Sequence, residues 1–101
     1  MAKPPKLTAA EVKRKLLVIM DQGTVIPSWH CGDASMPEGN ITMQDCEYLL
    51  EYGEVLEDAG WSETHQNWKY RIEGADIEGE ELTAIFVIFE SNLMVRIITV
   101  F

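Results

Sequence analysis

The C-terminal third of the chain limits the fold most. Trp68, Tyr70 and Ile72 alternate with Lys69, Arg71 and Glu73, the period of two that a strand with one buried face requires. Asp76 to Gly79 reads as a turn, and Leu82 to Phe89 is apolar at nearly every position, as in a strand covered on both faces. Ser91-Asn92 turns the chain again before a last strand over Leu93 to Phe101. Strands joined by short turns predict an antiparallel meander, whose apolar face needs a second layer. The first half of the chain offers two amphipathic helices for it. Thr8 followed by Glu11 is a capping-box pattern, Val12, Leu16, Ile19 and Met20 share one helical stripe, and Gly23 is a natural stop, which predicts a helix over 9–22. Thr42 caps a second helix over 43–52, with Asp45 at its third position, a buried stripe of Cys46, Leu49 and Leu50, and Gly53 as its stop. The expected class is α+β, two N-terminal helices packed on an antiparallel sheet. Its expected core holds Leu16, Ile19, Leu49, Leu50, Tyr70, Phe86, Ile88, Val95 and Ile97.

With 101 residues the chain is expected to form one domain over 1–101, because two halves would each be too small to bury a core; residues 1–7 read as a disordered tail. Between the helices, Thr24 to Trp29 predicts a short strand that Pro27 confines to a sheet edge, and Gly32 to Asn40 a loop. Glu54 to Asp58 reads as a brief strand and Ala59 to Gln66 as a polar connection. At 47% hydrophobic and 25% charged residues, the composition is that of a globular protein. No apolar run approaches a membrane span, and the start lacks the apolar segment of a secretory signal. Cys31 and Cys46 then read as free thiols, and the expected compartment is the cytoplasm.

Charge is divided along the chain. Residues 1–20 hold five of the eight basic side chains against one acid, whereas from Asp21 onward Lys69, Arg71 and Arg96 face sixteen carboxylates, a net of −13. Such a body repels nucleic acid, so RNA binding is expected to be weak and salt-sensitive, and a basic protein is the better partner. Lys13 and Arg14 read as the solvated face of the first helix.

No phosphate-binding loop, dinucleotide fingerprint or nucleophile elbow is present. His30, Cys31, Cys46 and His65 match no metal-ligand spacing, and neither metal nor cofactor is expected. What remains is a polar set on the sheet. Lys69 and Arg71 share a strand face, Arg96 and Thr99 lie in the last strand, and His30 closes the first. Clustered cations can hold a phosphodiester, and a histidine with an unperturbed pKa of roughly 6.5 suits proton transfer near neutrality. The plain alternative is cross-strand ion pairing with Glu80, Glu81 or Glu90.

Ser28-Trp29-His30, Met36, Asn40-Ile41-Thr42 with Asp45, Leu50, Gly53-Glu54-Val55, Trp68-Lys69-Tyr70-Arg71-Ile72, Leu82 to Ile88 and Ile97-Ile98-Thr99-Val100 together resemble the small bacterial family called domain of unknown function 4258. The resemblance spans roughly residues 10–101. It implies a RelE/MqsR-like, ribonuclease-type fold and the toxin half of a toxin–antitoxin pair, with a small basic or zinc-finger antitoxin as partner. It implies His30 as the acid/base of a metal-independent ribonuclease and Lys69, Arg71 and Thr99 as its phosphate-facing set; taken with the polar set on the sheet, the expected site has His30 and Arg71 as catalytic and Lys69, Arg96 and Thr99 as phosphate-binding. Where the family commonly carries a charged residue in the turn after the histidine and an arginine before Asn-Ile-Thr, this chain has Ala34 or Ser35, and Gly39. The nuclease implied is therefore weak or degenerate, and the alternative is a non-catalytic interaction domain that kept the fold.

Overall fold

The computed structural model of the chain describes residues 3–29, 31–56 and 60–101. Helix α1 spans Ala9–Gln22. The Thr8 hydroxyl accepts from the Glu11 N–H while the Glu11 carboxylate accepts from the Thr8 N–H, so one residue pair satisfies two donors that the helix cannot. Val12, Leu16 and Ile19 form its buried stripe. At the other end the Gly23 N–H bonds the Ile19 carbonyl, and a Cβ on Gly23 would overlap the Leu93 carbonyl oxygen. The Thr24 N–H donates to that same oxygen at 2.9 Å.

This close approach sets the direction of the next strand. Strand β1 (Thr24–Pro27) runs parallel to the last strand, β6 (Met94–Val100), with Thr24 opposite Met94. The sheet is thus mixed rather than wholly antiparallel: alternation encodes which face a strand buries, not which way its neighbour runs. Pro27 does sit in an edge strand, where its missing N–H costs no ladder bond.

Residues 32–39, expected within a loop, are helical: a π-helical turn over Cys31–Ser35 leads into α2, Met36–Gly39. The Ser28 hydroxyl accepts from the Cys31 N–H and donates to the Ile98 carbonyl, both at 3.1 Å, and Cys31 and Met36 are buried. Two apolar anchors and one bridging hydroxyl outweigh a turn-forming composition, and Asn40, at φ 55, ends the segment in the left-handed conformation that Asn tolerates. Helix α3 (Met43–Tyr52) starts with a second capping box, Thr42 with Asp45, and buries Cys46, Leu49 and Leu50. Lys13 leaves the solvated face expected for it. Its ammonium donates to the carbonyls of Leu50 at 2.8 Å and Gly53 at 3.0 Å, closing the C-terminus of α3 and tying it to α1.

Strands β4 (Asn67–Ala75), β5 (Glu81–Phe89) and β6 form the antiparallel centre of the sheet, and the short strands β2 (Glu54–Val55) and β3 (Gly60–Ser62) both pair with β4. The order is β1-β6-β5-β4-β2. Of the brief strand expected over 54–58, residues 54 and 55 form β2 and residues 57 and 58 lie outside those described; β3 occupies part of the expected polar connection. Asp76 makes the turn before β5, its carboxylate accepting from Glu78 and Glu80 N–H at 2.9 Å each, with Gly79 at φ 88.

Among the described residues the chain is a mixed α+β fold of three α-helices and a six-stranded sheet. The helix stripes share one core with Tyr70, Ile72, Leu82, Ala84, Phe86, Ile88, Val95, Ile97 and Val100. Strand β5 is not covered equally on both faces, because Leu82, Ala84, Phe86 and Ile88 are buried while Thr83, Ile85 and Phe89 on the other face are half-exposed. The Trp68 indole N–H donates to the Pro4 carbonyl at 2.7 Å and the Leu7 N–H to the Tyr70 hydroxyl at 3.0 Å. No helix among the described residues is long and apolar enough to cross a membrane.

Candidate functional site

Every sheet residue in the shared core lies on the face turned to the helices; the opposite face carries the polar set. In β4, alternation turns Tyr70 and Ile72 inward and Lys69 and Arg71 outward. The ladder registers Lys69 opposite Val87 and Val87 opposite Arg96, and in the next outward-facing row Arg71 opposite Ile85 and Ile85 opposite Thr99. Four of the five sequence-derived site residues thus form two rows across three strands, about 10 Å wide at the backbone given a strand spacing of about 4.8 Å. His30, the fifth, lies outside the described residues.

A bulge makes the second row. Arg96 and Thr99 are three residues apart, so a regular strand would point them to opposite faces. The register shifts between Ile85 and Phe86, with Phe86 opposite Ile97 and Ile85 opposite Thr99, so Ile98 is the extra residue and Thr99 returns to the face of Arg96. The Ile98 carbonyl, released from the regular ladder, accepts the Ser28 hydroxyl bond that anchors the π-helical turn. One irregularity therefore both aims Thr99 and holds the segment after β1. Trp29, the residue following Ser28, is 83% exposed.

Val87 is fully buried although it belongs to the open face. It lies between Lys69 and Arg96 in register, whose alkyl stems can cover it. The patch has an apolar floor, Ile85 and Val87, beneath a cationic rim. Arg71 pairs with Glu73 of its own strand at 3.2 Å, not with Glu80, Glu81 or Glu90; both side chains are more than a third exposed, so the pair is worth little. The Arg96 Nε is buried and has no hydrogen-bond partner among the described residues.

His65 matches no metal-ligand spacing and stands alone in the chain, so no role in the site is expected of it. The turn between β3 and β4 brings it to this patch. The Ser62 hydroxyl, itself buried, lies 3.0 Å from His65 Nδ1 and accepts from the His65 N–H at 3.3 Å, which fixes the ring. Desolvation, then the positive charges of Arg96 and Lys69, hold the imidazole pKa below its usual value. A histidine so placed is neutral at pH 7, and it would gain a proton more readily once an anion offset those two cations. The only signal for it in the sequence is Ser62 three residues before and Lys69 four after, and that needs the hairpin to acquire meaning.

The thiols sit elsewhere. Burial pushes Cys31 up and Cys46 up to about 12, so neither is a thiolate near neutrality. Among the described residues no group of three or more His, Cys, Asp or Glu side chains could hold a metal ion.

The model of the family described as domain of unknown function (DUF4258) matches residues 32–101, more than two thirds of the chain. The chain belongs to this family. No curated protein and no solved structure matches it.

Proposed function

We propose that the open sheet face binds the phosphodiester backbone of single-stranded RNA, and that the protein is a RelE/MqsR-like toxin domain of a toxin–antitoxin type pair with weak ribonuclease activity. The observation that carries this reading is the gathering of Lys69, Arg71, Arg96 and Thr99 into two registered rows in a protein of net charge −9. Cations are scarce here, and three of the eight share the sheet face turned away from the helices. Trp29, the residue after Ser28, is 83% exposed and offers a stacking surface of the kind single-stranded bases use. In this scheme Lys69, Arg96 and Thr99 hold the phosphate, Arg71 offsets charge developing on it, and His30 moves the proton. A small basic or zinc-finger antitoxin would be drawn to the acidic body.

The second reading is a non-catalytic interaction domain. It is favoured by the Arg71–Glu73 pair, which occupies one of the cations the reaction needs. Induced expression in a bacterial host separates the two. The toxin reading expects growth arrest that His30→Ala and Arg71→Ala abolish without unfolding the protein, and oligonucleotide binding that Lys69→Ala and Arg96→Ala weaken with a shallower salt dependence. A harmless wild type that binds no RNA overturns it and leaves the interaction domain.

A further inference from the structure

The helix-facing side of the sheet carries a second recognition surface at its β3–β4 end. Trp61 and Trp68 are register partners, and their rings meet edge to face with centroids 5.4 Å apart. Across them runs the segment Lys3-Pro4-Pro5-Lys6-Leu7. The Lys3 ammonium lies 4.9 Å from the Trp61 ring centre and the Lys6 ammonium 5.9 Å from that of Trp68. The Trp68 indole N–H donates to the Pro4 carbonyl and the Tyr70 hydroxyl accepts from the Leu7 N–H. Beside the prolines a groove of about 440 Å³ stays open, with Glu11 and Glu90 on its walls.

These contacts read backbone and charge together. Two successive prolines favour the extended polyproline II conformation, whose carbonyls point outward for a donor such as an indole N–H, and which loses little entropy on docking. Lysines flanking the prolines find ring faces for their charge. Residues 3–6 are themselves exposed, so among the described residues nothing lies over the segment to lock it down.

We propose that Trp61, Trp68 and Tyr70 form a binding site for an extended, proline-containing basic segment of a partner protein, and that Lys3–Leu7 is its occupant in cis. The cis segment competes with the partner, so release of the N-terminus raises affinity in trans. The site lies on the opposite side of the sheet from Lys69 and Arg96, so it does not rest on the RNA reading and can be filled independently of it.

The probe is an acetylated, amidated peptide with the sequence of residues 3–8, titrated against the full-length chain and followed through the Trp68 indole N–H resonance and intrinsic fluorescence. A Lys3→Glu/Lys6→Glu variant removes both lysine–ring contacts and so weakens the hold of the cis segment without shortening the chain. The peptide should bind this variant about tenfold more tightly than it binds the wild type, whose own segment competes at high effective concentration. Replacing both prolines of the peptide by alanine should abolish that advantage. Trp68→Phe, which keeps a ring and loses the donor, should weaken binding about fivefold, the worth of one hydrogen bond. Tyr70→Phe tests the other contact if the Trp68 variant does not fold. Equal binding of the proline and alanine peptides, which the acidic body alone would produce, overturns the proposal. Failure of the Lys3→Glu/Lys6→Glu variant to bind at millimolar peptide does the same.

Discussion

Replacing Lys13 by Met keeps the aliphatic stem against α3 and removes only the ammonium, so it isolates the two bonds to the Leu50 and Gly53 carbonyls. Hydrogen bonds from a charged donor contribute roughly 1.5–3 kcal/mol each when both partners are well placed, and these are 2.8 and 3.0 Å long. Two things reduce the sum. The bonds share one half-exposed ammonium, and its desolvation pulls the Lys13 pKa below the usual value against the opposing charge of Glu51. A net loss of about 1–2 kcal/mol remains. Unfolding entropy of about 2.1 cal/mol/K per residue over 101 residues makes each kcal/mol worth about 5 °C, so Tm should fall by about 5–10 °C. Thermal unfolding followed by circular dichroism reads this directly. Arg14→Met is the matched control: it removes one positive charge from an exposed position on the same helix and should cost within about 0.5 kcal/mol. If both variants melt together, Lys13 is the solvated lysine its neighbours suggest, and the proposed tie between α1 and α3 contributes nothing.

Lys13 also shows where the sequence stops informing. Its two acceptors lie 37 and 40 residues away, and no local pattern marks a lysine that caps a distant helix. Helix starts are legible by contrast, because Thr8 with Glu11 and Thr42 with Asp45 satisfy their donors within four residues. The face of each central strand is legible too: alternation in β4 assigns Tyr70 inward and Arg71 outward without knowledge of any partner. Direction and register are not. The parallel pairing of β1 depends on the contact between Gly23 and Leu93, and the place of Thr99 beside Arg96 depends on a bulge at Ile98, where the sequence reads as an uninterrupted apolar strand. The candidate site is therefore legible as a set of residues and illegible as a geometry. His65 joins it through a turn, and residues 31–39 become helical through Ser28 rather than through their own propensities.

Three further outcomes are expected. Both thiols should resist alkylation in the folded protein at pH 8 and react fully in denaturant, since burial raises each pKa and Cys46 reaches about 12; rapid native labelling would refute this. Gly53→Ala should destabilise by about 1–3 kcal/mol in denaturant melts, because its Cβ would stand 2.5 Å from the Leu49 carbonyl oxygen and 2.9 Å from Ile72; an unchanged midpoint would mean that the α3–β4 contact yields. The last concerns His65, whose folded pKa lies below 6.5 through desolvation, then Arg96 and Lys69. Between 6.5 and that lower value the unfolded chain takes up a proton that the folded chain does not, so stability falls as pH drops through this window. Arg96→Met removes one of the opposing charges and should move the titration back toward 6.5, and a phosphate anion seated on the patch should move it the same way in the wild type. Both shifts can be read from the imidazole Hε1 resonance. A His65 that titrates identically in wild type, Arg96→Met and Lys69→Met, with and without phosphate, does not face the patch, and the open sheet face would then lose the one proton-transfer group the structure describes beside it.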